Sequence, residues 1–176
     1  MLVALAGCWT SSAPVERVTP PANTAPPEAR PMRFRVELER TACMGRCPIY
    51  KVTIHGSGRV EWDGVENVLA IGHVDRPQLA RRDLEKLARQ IDDAKFFDRN
   101  EYGQLETGPV CTTTGNTTTC SYSAHFCSDT THAKITVTRN GRTHTIDNDH
   151  CDEKPGIDEL EQAIDELART GELVGR

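Results

Sequence analysis

From residue 33 onwards the chain moves between two hydrophobic rhythms. In "RFRVELER", Phe34, Val36 and Leu38 alternate with charged residues, the period of a strand with one buried face. "IYKVTIHGSGRVEWDG" continues the alternation through Tyr50, Val52 and Ile54. It turns at Gly56-Ser57-Gly58 and returns through Val60 and Trp62, which predicts a hairpin. "ENVLAIGHV" predicts a weaker strand. Pro77 then predicts the opening of a helix with Leu84, Leu87, Ile91 and Ala94 on one stripe, ended by Phe96 and Phe97. In "AKITVTRNGRTHTID" the Asn140-Gly141 pair suits a type I′ turn, which needs positive φ at both central positions. A two-residue loop there pairs Ile135 with Ile146 and Val137 with His144. "PGIDELEQAIDELART" predicts a closing helix with Ile157, Leu160, Ile164 and Leu167 facing inward and Gly171 as its stop. Strands followed by a helix, twice over, predict an α+β fold: an antiparallel sheet of hairpins with two helices packed on one face.

The stretch between the two halves, a cysteine-rich insert at 103–128, follows neither rhythm. Its threonines and small residues give only faint strand character, so Cys111, Cys120 and Cys127 read as covalent substitutes for packing. With Cys43, Cys47 and Cys151 they make six cysteines in the folded part, an even number suited to a disulfide-stapled domain in an oxidising compartment. Fifteen pairings of six are open.

Composition adds an address. Only 37% of the 176 residues are hydrophobic, which points to a polar segment diluting an ordinary domain. That segment is the Pro-, Ser-, Thr- and Ala-rich stretch 9–31, which cannot bury enough apolar surface to offset its ordering entropy and is expected to be a disordered tether. Ahead of it, Leu5-Ala6-Gly7-Cys8 resembles the lipobox of bacterial lipoproteins. The resemblance implies that residues 1–8 are the remnant of a signal peptide and that Cys8 carries a lipid. The apolar run is shorter than a full signal peptide and lacks a basic start. The folded domain is then 32–176, lipid-anchored at the membrane in the periplasm or at the cell surface. A net charge of -5 with interleaved Lys, Arg, Asp and Glu argues against a nucleic-acid partner.

Several side-chain groups carry candidate chemistry. Cys43 and Cys47, four apart, are open to three readings: a redox dithiol, two metal ligands or a structural staple. Their Cys-x-x-x-Cys-Pro spacing is similar to the copper motif of Sco-type assembly proteins, but the hairpins on both sides do not fit the parallel sheet of that family. His125, Cys127 and His132, with His150-Cys151 downstream, match no zinc spacing, and "DNDHCDE" lacks the glycine and distal glutamate of a calcium loop, so Asp147, Asp149 and Asp152 read as a solvated loop. Gly56-Ser57-Gly58 leads into a strand rather than a helix, so it is no phosphate cradle. No metal, cofactor or catalytic residue is expected from these patterns, and the chain reads as a non-enzyme.

"CMGRCPIYKVTIHGSGRVEWDG" resembles the signature of an uncharacterised bacterial family, one of the domains of unknown function. Members carry Cys-x-Gly-x-Cys-Pro-x-Tyr running into a Gly-x-Gly hairpin. Cys43, Gly45, Cys47, Pro48 and Tyr50 fall on the motif, and Gly56, Gly58 and Trp62 on the hairpin. Met44, where an aromatic is usual, and the insert at 103–128 are the departures. The resemblance implies an envelope setting without an established activity. With the φ freedom of Gly45 and the fixed φ of Pro48, it implies that Cys43 and Cys47 bond to each other. The expected function is a non-catalytic binding or structural module of an envelope lipoprotein, with an envelope protein or a glycan as partner. The alternative is a copper-binding or thiol-disulfide protein acting through Cys43 and Cys47.

Overall fold

The computed structural model describes residues 32–105, 110–121 and 130–175. The first alternating stretch is strand β1 (Phe34–Arg40), and the glycine hairpin is β2 (Ile49–His55) with β3 (Val60–Glu66). β4 is Gly72–Arg76, and the Asn140-Gly141 hairpin is β7 (Ala133–Arg139) with β8 (Arg142–Asn148). These six form one antiparallel sheet in the order β4-β3-β2-β1-β7-β8, so the chain builds outward on both sides of β1. The register places Val36 opposite both Ile54 and Val137, and Leu38 opposite both Val52 and Ile135. One face of the sheet is therefore apolar across the strands.

Helices α1 (Arg81–Asp93) and α2 (Ile157–Ala168) cover that face. Leu84, Leu87 and Ile91 of α1 and Ile157, Leu160 and Ile164 of α2 join Val36, Leu38, Val52, Ile54 and Trp62 in a single core. Each fully buried side chain of this size stabilises by about 1.5–3 kcal/mol. The result is the α+β, disulfide-stapled sheet of hairpins with its helices on one face. The other face stays polar. Across β7 and β8 it carries two threonine pairs, Thr136–Thr145 and Thr138–Thr143, each hydroxyl pair 2.9 Å apart. Cross-strand pairs of this kind are the unit of sheet stabilisation.

Turn chemistry explains the hairpins. Asn140 (φ 52°) and Gly141 (φ 82°) are both left-handed, and Arg139 pairs with Arg142, as a type I′ loop of two residues requires. In the insert, β5 (Val110–Thr114) and β6 (Thr117–Ser121) form a separate two-stranded hairpin whose residues 111–120 are all exposed. Cys111 and Cys120 face each other across it and are bonded. Here the bond does what a core would otherwise do.

Three boundaries differ from the hydrophobic pattern, each because the backbone bonds elsewhere. β4 starts at Gly72 because Asn67 turns left-handed, Leu69 and Ala70 donate to Leu173 O, and Ala70 O accepts the Trp62 indole N–H. α1 starts at Arg81, four residues after Pro77, because Leu79 N–H bonds Gly58 O and Ala80 is extended. α2 stops at a left-handed Arg169 rather than at Gly171, which instead opens a short helix α3 (Gly171–Val174). Among the described residues, no helix is long and apolar enough to cross a membrane.

Candidate functional site

Strand alternation puts Arg40 in phase with Phe34, Val36 and Leu38, so a guanidinium ends the apolar row of β1. Tyr50 lies directly opposite on β2. Above them, α2 presents Glu161 and Asp165, one turn apart on its sheet-facing side. Arg40 Nη1 donates to Glu161 Oε2 at 2.6 Å and Nη2 to Asp165 Oδ2 at 2.8 Å. The Tyr50 hydroxyl donates to Asp165 Oδ1 at 2.8 Å, and Thr170 Oγ1 donates to the same oxygen at 3.0 Å. Asn148, in the β8 position opposite Ala133, bridges Asp158 (2.8 Å) and Glu161 (2.7 Å) through its amide. His150 sits between Glu161 Oε2 (3.0 Å) and Thr131 O (2.7 Å).

The Glu161 side chain is only 4% exposed. A carboxylate so far from water is tolerated only where a cation and further donors compensate it. Arg40 is that cation. Burial acts to lower the Arg40 pKa, but Glu161 and Asp165 outweigh it and hold the group above its usual range. Burial first, then the Asp165 carboxylate, pushes the Tyr50 phenol up to about 12. Unfolded tyrosine ionises near 10, so the folded state holds the proton more tightly. The stability this supplies is complete below pH 10 and is lost between pH 10 and about 12. The ultraviolet phenolate difference between wild type and Tyr50→Phe is therefore expected to titrate close to pH 12. A midpoint near 10 would mean that Tyr50 is not held by Asp165.

His150, Asp158 and Glu161 each offer one ligand atom within 4.8 Å of the others, a spacing that suits a cation. The Asn148 amide nitrogen donates to both Asp158 and Glu161, so an N–H donor already occupies the space between the two carboxylates, and these residues do not fit a resident metal.

The loop over this cluster carries the cysteine motif. Cys43 and Cys47 are bonded to each other, with Cα atoms 5.8 Å apart. Thr41 N–H bonds His132 O (3.1 Å), just before β7, and Asn67 Nδ2 bonds Cys47 O (3.1 Å), just after β3, which anchors the loop on both sides. Gly45 is not left-handed, so the ring closes without the conformational freedom expected of that glycine. Met44 projects from the ring, 84% exposed. Beside the ring lies a cleft of about 300 Å³, lined by Thr41, Pro48, Tyr50 and Thr131 and floored by Arg40 and Asp165. A wider trough along α2, about 540 Å³, shares Arg40 and Asp165 with it and is bounded by His150 and Arg169. A five-residue ring stabilises by only about 2 kcal/mol on the chain-entropy model. Cys43→Ser/Cys47→Ser is therefore expected to keep its far-ultraviolet circular dichroism and melt roughly 4–8 °C lower. Loss of the fold would make the ring a foundation of the sheet rather than a brace.

The remaining motif residues are structural. Gly56 lies against the chain entering β1, bonded to Phe34 O and accepting from Met32 N–H. Gly58 is left-handed (φ 94°) beneath Leu79. The Tyr50 ring stacks on Trp62, centroids 4.5 Å apart. Cys151 is disulfide-bonded; Cys8, His125 and Cys127 lie outside the described residues. His132 pairs with Asp147 at 2.9 Å. Asp149 is not part of a solvated loop: it is buried and paired with Lys154 at 2.7 Å.

No sequence motif marks Arg40, Asn148, Glu161 or Asp165. The signal was a charge in the apolar phase of a strand, matched by Glu161 within the apolar stripe of α2.

A family model described as a domain of unknown function (DUF6438) matches residues 34–168, from the first residue of β1 to the last of α2. No curated protein matches the chain.

Proposed function

Since the chain belongs to this family of domains of unknown function, we propose that it is the non-catalytic binding module of a cell-envelope lipoprotein. Cys8 carries the lipid, residues 9–31 are the tether, and the domain from residue 32 faces the periplasm or the exterior. The observation that carries the envelope setting is that Cys43, Cys47, Cys111, Cys120 and Cys151 are all disulfide-bonded. Such bonds persist in oxidising compartments and are rare where glutathione keeps thiols reduced.

The braced Cys43–Cys47 ring and the cleft at Pro48 form the contact surface for an envelope protein or a glycan. A rigid loop lowers the entropy lost on binding, and Met44 and Arg46 are exposed at its tip. The nearby carboxylates Glu161 and Asp165 are held by Arg40, Tyr50 and Asn148, so they are engaged in joining α2 to the sheet. Copper binding needs the two thiolates that the ring consumes.

The experiment is fractionation of the native host combined with in-cell photocrosslinking from position 44. Wild type is expected in the membrane fraction and Cys8→Ser in the soluble one. A photoreactive residue at 44 is expected to give a discrete adduct that the same residue at Thr143, on the open face of the sheet, does not. A Cys8→Ser protein that stays on the membrane would overturn the anchor, and equal labelling from both positions would overturn the contact surface.

A further inference from the structure

The open face of the sheet holds a second group of polar side chains, on β3 and β4 and unconnected with the ring. The register sets Glu61 opposite Asp75 and Asp63 opposite His73. Directly opposed carboxylates repel across strands, so Glu61 and Asp75 gain from a cation between them. Glu61, His73 and Asp75 each supply one ligand atom, and those atoms lie within 4.8 Å of one another. His73 is already oriented for coordination. Its Nδ1 lies 2.9 Å from Asp63 Oδ1, while Nε2 faces Asp75 Oδ1 at 3.7 Å. A metal-bound imidazole is held in this way, with one ring nitrogen donating to a carboxylate and the other bare. Both Glu61 oxygens are already oriented by neighbours, Oε1 by Arg59 at 2.8 Å and Oε2 by His55 Nε2 at 2.9 Å, and each keeps a second lone pair for a cation.

We propose that Glu61, His73 and Asp75 form a divalent-metal site on the open face of the sheet, with Asp63 orienting His73. One imidazole and two carboxylates suit Zn²⁺ among the available divalent ions. Zinc bonds of about 2.0–2.2 Å in tetrahedral geometry put ligand atoms roughly 3.3–3.6 Å apart. His73 and Asp75 already approach that spacing, and their exposed side chains have room to close the rest. Three protein ligands leave a fourth position open, on the solvent side, for water or an external carboxylate. The site stands independently of the lipoprotein reading.

The test is calorimetric titration of ZnCl₂ into the untagged, oxidised full chain, with Co²⁺ absorption as a report on ligand geometry. One Zn²⁺ per chain is expected, with a tetrahedral Co²⁺ spectrum. His73→Ala and Asp75→Asn are each expected to weaken binding at least about tenfold, and Asp63→Asn by about 10–100-fold, with unchanged metal-free melting temperatures. His150→Ala, in the other histidine-carboxylate group, is expected to bind as wild type does. Absence of zinc binding, binding indifferent to His73→Ala, or binding lost in His150→Ala would overturn the site.

Discussion

Gly56→Ala is expected to cost about 3 kcal/mol, close to the upper end for overpacking, and to lower the melting temperature by roughly 6–12 °C. The reason is space rather than conformation, since Gly56 is not left-handed. A Cβ there would lie 1.7 Å from Met32 O and 3.0 Å from Phe34 O, both backbone atoms. The chain entering β1 would have to move, breaking the bonds from Gly56 N–H to Phe34 O (2.8 Å) and from Met32 N–H to Gly56 O (2.9 Å). Gly45→Ala is the control from the same family motif. Its nearest heavy atom would be Cys43 Sγ at 3.8 Å, ordinary contact, so a change within about 0.5 kcal/mol is expected. Chemical denaturation of both variants checks the pair. Equal losses would mean that the close approach at Gly56 is not what the motif preserves.

The largest effect is expected from Arg40→Met. Methionine keeps much of the stem's packing but removes the cation from between Glu161 and Asp165. Breaking one side of a buried ion pair costs about 3–5 kcal/mol, because the surviving charge is left without compensation. Glu161 is the severe case, while Asp165 keeps Tyr50 and Thr170 as donors. Arg40→Met/Glu161→Gln is expected to recover part of the loss, since the amide carries no charge into the core. If Arg40→Met alone is within about 1 kcal/mol of wild type, the cluster is a surface ion pair of ordinary worth.

Most of the sheet was legible because alternation reports burial directly. Phe34, Val36 and Leu38 are buried on the face that the pattern assigned to the core, and Asn140-Gly141 dictated both its turn and the Ile135–Ile146 register. What was not legible depends on long-range backbone bonds. Nothing near Pro77 announces that Leu79 will bond Gly58, and nothing near Leu69 announces Leu173. The stop of α2 went to Arg169, a residue with a Cβ, although Gly171 stood two positions further on.

The site divides in the same way. The cysteine motif is local and visible in the sequence. The cluster that shares a cleft with Pro48 is not: it joins Arg40 to Glu161, 121 positions apart, a pairing that only the packing of α2 on the sheet reveals. Gly45 teaches a narrower lesson. A glycine inside a short ring invites a left-handed reading, yet this ring closes with Gly45 outside that region and its N–H 3.2 Å from Cys43 Sγ.

The central claim is that the Cys43–Cys47 motif is a closed brace over the Arg40–Tyr50–Asp165 cluster and not a reactive dithiol. Non-reducing peptide mapping tests it most directly, on protein taken from the native envelope with thiols alkylated at lysis. The expected result is one peptide pair joined through Cys43 and Cys47, with neither sulfur alkylated. Alkylated Cys43 and Cys47, or Cys43 joined to a cysteine of the insert, would contradict it.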